Sequence, residues 1–116
     1  MDNERTKYRQ IQRKPMQGKI RDLELQTDSD GQIEFCDITL ADGDSFRLFP
    51  PFSLRMSREQ WENTQIANGR KLGEVMISKT IRFLFYETTN GNQKIAYKDL
   101  KVMELVDDSP IDESGK

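Results

Sequence analysis

A small, mainly β protein, its five antiparallel strands rolled into a barrel with one helix on the surface, is the fold class the sequence predicts. Three observations predict it. Short β-prone runs are separated by Asp-Gly and Asn-Gly turn signals. Two of the runs change the parity of their apolar residues midway, as strands do where they bend around a small barrel. One helix start falls between the third and fourth runs.

The first run, residues 18–27, carries Ile20, Leu23 and Leu25. The spacing from Ile20 to Leu23 breaks the period of two and predicts a bulge. Asp28-Ser29-Asp30-Gly31 is a turn cluster. It lacks the oxygen-rich pattern and distal Glu of a calcium loop. In residues 32–40, Ile33 and Phe35 alternate on one parity, and Cys36, Ile38 and Leu40 on the other. Cys36 reads as a small core residue, since no His stands near to activate a thiol. Around Asp42-Gly43 a loop of one extra residue sets Leu40 against Phe46 and Ile38 against Leu48. Residues 45–49 form the third strand, ended by Pro50-Pro51, which cannot continue a central ladder.

Ser57 with Gln60 forms a capping box, so a helix starts there. It is expected to run to about Ala67, with Asn68-Gly69 as its stop. Most of it is polar. Trp61 is its anchor, placed to plug an open end of the barrel.

Residues 79–105 read as a long hairpin closed by a two-residue Asn90-Gly91 turn of type I′, which needs φ > 0 at both positions. That turn sets Glu87 against Lys94, Arg82 against Asp99, Ile81 against Leu100 and Leu84 against Tyr97, a mix of opposite-charge and apolar pairs. Ile81, Phe83, Phe85, Ala96, Leu100 and Val102 then share the core face. Tyr86 and Tyr97, edged by Arg82 and Lys101, share the other. Tyrosines on strands with basic neighbours are what base stacking requires.

The order strand, strand, strand, helix, strand, strand over residues 18–105 resembles the OB-fold, a five-stranded Greek-key barrel. The resemblance is one of topology and carries no functional residues with it. An SH3-like barrel is the alternative, and an α+β roll stands third.

Charge divides the chain. Residues 1–21 hold seven Lys/Arg against two acids, and residues 104–116 five acids against one lysine. The expected organisation is a basic flexible arm over 1–17, the barrel over 18–105 and an acidic disordered tail over 106–116. Arg9, Arg13 and Lys14 of the arm are placed to lie on phosphates or on an acidic partner. Phe49 and Phe52, around the two prolines, are candidate anchors for a protein partner.

The chain has no histidine and one cysteine. The commonest general base and metal ligand are missing, and a zinc site within one chain is excluded. Phosphate loops and nucleophile elbows are absent. Neither a membrane span nor a signal-type apolar core appears in the sequence. The expectation is a cytoplasmic, non-enzymatic binding module without metal or cofactor. Its partner is single-stranded DNA or RNA, or alternatively a protein that it serves as adaptor, inhibitor or subunit.

Overall fold

The computed structural model describes residues 12–51 and 54–106. Its strands are β1 (Lys14–Thr27), β2 (Ile33–Leu40), β3 (Ser45–Leu48), β4 (Thr80–Glu87), β5 (Gln93–Ile95) and β6 (Glu104–Val106). Among the described residues one α-helix, α1 (Arg58–Glu62), precedes two short 3-10 turns, and a longer 3-10 turn covers Tyr97–Val102. The strand order is β1-β2-β3-β5-β4, and β4 returns to β1, which closes a five-stranded barrel. With α1 between β3 and β4, this is the small barrel the sequence predicts, in an OB-like Greek-key order. It is not wholly antiparallel: β3 and β5 run parallel, with Arg47 opposite Lys94 and Leu48 opposite Ile95.

β1 can serve two neighbours because it bends. Its first half, from Lys14, pairs with β4, and its second half pairs with β2. Arg21 is the extra residue of a bulge at the handover, inside the Ile20–Leu23 interval where the broken alternation predicts one. The strand starts at Lys14, not at residue 18, so Lys14, Pro15, Met16 and Gln17 belong to the barrel. Pro15 fits because odd residues in this half turn their missing or present N–H away from β4.

The three tight hairpins share one loop design. Asp28 closes on Gln32, Leu40 on Asp44 and Thr88 on Asn92, each through a backbone bond of 2.8–2.9 Å. The third loop residue is in each case a glycine at positive φ: Gly31 at 81°, Gly43 at 100° and Gly91 at 86°. This is the three-residue turn in which a left-handed residue completes a bulge. Asn90 does not take positive φ, so the expected type I′ turn is corrected to this one. The pairing slips by one residue, to Tyr86 opposite Lys94 and Glu87 opposite Gln93. In the Gly43 loop the extra residue is Ala41, and the expected register is corrected by two residues: Ile38 faces Phe46 and Cys36 faces Leu48, in place of Leu40 with Phe46 and Ile38 with Leu48.

The long hairpin is also corrected. β5 ends at Ile95, and the chain turns through Tyr97–Val102 before β6 pairs with β4. The physical reason lies in Leu100 and Met103, both fully buried and three residues apart. That spacing suits a helical turn, not a pleat. Val102, expected in the core, is 44% exposed. The pairings of Ile81 with Leu100, Leu84 with Tyr97 and Arg82 with Asp99 do not form. Ile81 pairs with Leu105 and Arg82 with Glu104 instead.

The barrel is filled by Ile20, Ile38, Leu40, Phe46, Leu48, Ile81 and Phe83. The Phe46 ring meets Phe83 and Phe85 edge-on at 5.0 and 4.9 Å, a favoured aromatic geometry. α1 starts at its capping box, with the Ser57 hydroxyl accepting from the Gln60 N–H and the Gln60 side chain accepting from the Ser57 N–H. It ends five residues before Ala67. The Leu72 N–H takes the Thr64 carbonyl and the Ile66 N–H the Arg70 carbonyl, so residues 64–72 form a separate tight loop with Asn68-Gly69 at its tip. Trp61 is 4% exposed and borders Leu23, Cys36, Ile38 and Leu48, which places it over one barrel end.

Candidate functional site

The outward faces of β2, β3, β5 and β4 form the most chemically distinctive surface among the described residues. Register runs a single row across them: Glu24 on β1, Asp37 on β2, Arg47 on β3, Lys94 on β5 and Tyr86 on β4. Arg47 donates to both Asp37 carboxylate oxygens at 2.8 Å. Its guanidinium also lies over the Phe35 ring, 3.7 Å from the centroid. The Asp37 hydrogen bond raises the Arg47 pKa above its ordinary value, so the guanidinium stays charged across the working range.

Phe35 is turned outward by a second bulge, at Glu34, which lets Ile33 and Cys36 both point inward. Phe49 continues the same outward column just after β3. It meets Phe35 edge-on at 6.1 Å and is 40% exposed. Lys94 holds its ammonium 5.1 Å from the Phe49 ring and has no carboxylate partner among the described residues. Phe49 stands between two depressions. One, of about 350 Å³, is bounded by Asp37, Arg47, Lys94 and the 92–93 end of the β4–β5 loop. The other, of about 230 Å³, runs past Pro50, Pro51, Leu54 and Arg55 to Asp28 and Glu34. The first is cationic on balance and the second acidic.

The residues singled out from sequence are dispersed. Tyr86 and Arg82 do share the outward face of β4 with Leu84. Tyr97 does not join them: it sits on the 97–102 turn, its hydroxyl 3.4 Å from Thr64 Oγ1 and 3.9 Å from Met56 Sδ. Lys101 is exposed on that same turn. The two-tyrosine platform is therefore corrected. Arg82 is bonded to Glu104 at 2.6 Å and to Gln17 at 3.0 Å. Arg13 bonds Asp99 at 2.9 Å with its guanidinium 5.8 Å over Tyr86, and Lys14 meets Glu87 at 3.4 Å. Three of the basic residues expected to contact nucleic acid are thus engaged with carboxylates. Phe49, the other candidate anchor, is 40% exposed beside Lys94. Arg9 and Phe52 lie outside the described residues.

Sequence reasoning missed Phe35, Arg47 and Lys94. Phe35 shares its parity with Ile33 in the sequence, but the bulge falls one residue earlier than the parity change suggests. Arg47 and Lys94 meet through a parallel pairing between strands far apart in the chain, which no hairpin signal announces.

Cys36 is buried, and that burial, aided by Asp37, pushes its thiol up to about 12, so it is a poor nucleophile. Among the described residues no three His, Cys, Asp or Glu side chains converge as metal ligands would. No helix among them is long and apolar enough to cross a membrane. No protein-family model, curated protein or solved structure matches the chain.

Proposed function

We propose that the protein is a non-enzymatic, cytoplasmic module that binds single-stranded nucleic acid across the outward face of β2, β3 and β5. The observation that carries this reading is Phe49, an exposed ring flanked by the cations of Arg47 and Lys94. A base stacks on Phe49 or on the open side of the Arg47 guanidinium, both of which accept any base. Lys94 and the open edge of the Arg47 guanidinium take phosphates. In OB-like barrels this face, with the β1–β2 and β4–β5 loops, is where oligonucleotides lie.

The charge balance sets the strength. Residues 22–103 carry thirteen acids against ten bases, so binding is modest and salt-sensitive. The test is fluorescence anisotropy with labelled single-stranded DNA and RNA over a salt series, for the native chain, Phe49→Ala and Lys94→Ala. Losing a stacking ring costs about 1–3 kcal/mol. Losing Lys94 lowers the salt slope by about 0.7. Absence of binding at low salt, or full affinity in both variants, overturns the proposal.

The second reading is a protein-interaction module. Phe49 and Leu54, both 40% or more exposed on either side of Pro50-Pro51, favour it. Pull-down with the native chain and with Phe49→Ala/Leu54→Ala separates it from the first.

A further inference from the structure

The second half of β1 has a backbone edge with no strand on it among the described residues. After the Arg21 bulge, even residues point to β2, as the Asp28 N–H to Gln32 carbonyl bond shows at the strand's end. Leu23, Leu25 and Thr27 therefore turn their N–H and C=O groups outward from the sheet. The protein's own side chains partly answer this. Asp22 Oδ1 accepts from the Leu23 N–H at 3.0 Å, and Gln26 reaches the Thr27 carbonyl at 3.5 Å. Leu25 receives neither.

A trough of about 290 Å³ runs beside this edge, its floor lined by Leu23, Leu25, Trp61, Leu72, Val75 and Met76 and its α1 side by the opposite charges of Arg58 and Glu62. Met76, which lines it, and the next residue, Ile77, are 50% and 53% exposed, the most exposed large apolar residues among those described. On the opposite, solvent side of β1 the exposed row is acidic, with Asp22 and Glu24.

We infer that this edge is a docking site for an extended segment of a partner protein that adds as a strand beside β1. Backbone pairing along Asp22–Thr27 would span about 20 Å. Alternate side chains of the segment enter the trough and pack against Trp61 and Met76. The intervening ones face solvent beside Asp22 and Glu24, so the fitting segment carries Lys or Arg there. A second copy of this edge is disfavoured, because it would set acids against acids. The trough lies off the β2–β3–β5 face, with Glu24 at the end of that face's row the residue they share, and the inference does not depend on the nucleic-acid proposal.

The probe is a six-residue peptide alternating lysine with valine, blocked at both ends, against a control with glutamate for lysine. Amide exchange and chemical shifts are followed by NMR on the full chain. The lysine peptide is expected to shift Leu23, Leu25 and Thr27 and to slow exchange at Leu25 and Thr27 by about tenfold or more at saturation. The glutamate peptide does neither. In Asp22→Lys/Glu24→Lys, whose positions are exposed, the preference reverses. Three outcomes overturn the inference: no response at these amides to millimolar lysine peptide, a response confined to Phe49 and Lys94, or amides already protected in the free chain. The last would mean that the chain's own terminal segment occupies the edge.

Discussion

Asp37→Asn is a substitution expected to strengthen binding, which misfolding rarely does. In the native chain the Asp37 carboxylate holds Arg47 through two 2.8 Å bonds. A phosphate arriving at the open side of the guanidinium would lie about 6 Å from that carboxylate. At an effective dielectric of about 40–80 the repulsion is about 0.7–1.4 kcal/mol. Removing it tightens binding about three- to tenfold. One more cation left to pair with phosphate also steepens the salt slope by about 0.7. The cost to folding is small, under about 1 kcal/mol, because Arg47 and Asp37 are 43% and 27% exposed and the pair is screened by water. Asparagine still accepts one hydrogen bond, so Arg47 stays over Phe35. The assay is anisotropy with single-stranded oligonucleotide at several salt concentrations, alongside a thermal melt. An unchanged or weaker affinity in a variant with native melting would refute the placement of phosphate at Arg47.

Three further outcomes are expected. Trp61→Ala should lose about 3–5 kcal/mol in urea unfolding, since the ring is buried over the barrel end; a loss below about 1 kcal/mol would show that the end is closed by other residues. Gly43→Ala should cost about 1–2 kcal/mol, entirely from its φ of 100°, because an added Cβ would meet nothing within 4 Å. A loss much larger than that would point to a packing role. Cys36 gives the pH test. Its folded thiol is raised from 9.0 to about 12 by burial and then by Asp37, so the unfolded chain releases its proton first. Stability is complete below about pH 9 and falls toward 12 by about 1.4 kcal/mol per unit. Urea melts from pH 8 to 11 should show a steeper alkaline decline in the native chain than in Cys36→Ala, and equal slopes would count against the shift.

What could be read from the sequence was local. The Ser57–Gln60 capping box, the broken alternation at Ile20–Leu23 and the inward parity of Ile81, Phe83 and Phe85 each rest on neighbours a few residues apart. The strand order followed from them together with one helix in one connection. What escaped was set at a distance or by one residue of slip. Nothing near Ile95 says that the ladder stops there. The stop is imposed by Leu100 and Met103 finding the core on the same side of a turn. The site suffered most. Tyr97 was drawn onto the outward face by a pairing that the glycine loop shifts, and Phe35 was drawn inward by a bulge placed one residue late. The residues that converge beside Phe49 come from β3, the β4–β5 loop and β5, and only the closed barrel puts them together.

The repeated loop design has a consequence for how this protein can vary. Each hairpin spends three residues on its turn, and a strand's side chains alternate with a period of two. Loop length therefore chooses which residues face the core. A turn made by Asp42-Gly43 alone, with Ala41 drawn into the ladder, would set Ile38 against Arg47, turning Arg47 inward and Phe46 outward. The first two positions of each turn, Ser29-Asp30, Ala41-Asp42 and Thr89-Asn90, are exposed and tolerate other side chains, whereas the glycine that follows is held by its positive φ. The turns do not tolerate a change in number. In this barrel, spelling at the first two turn positions is free, and counting is not.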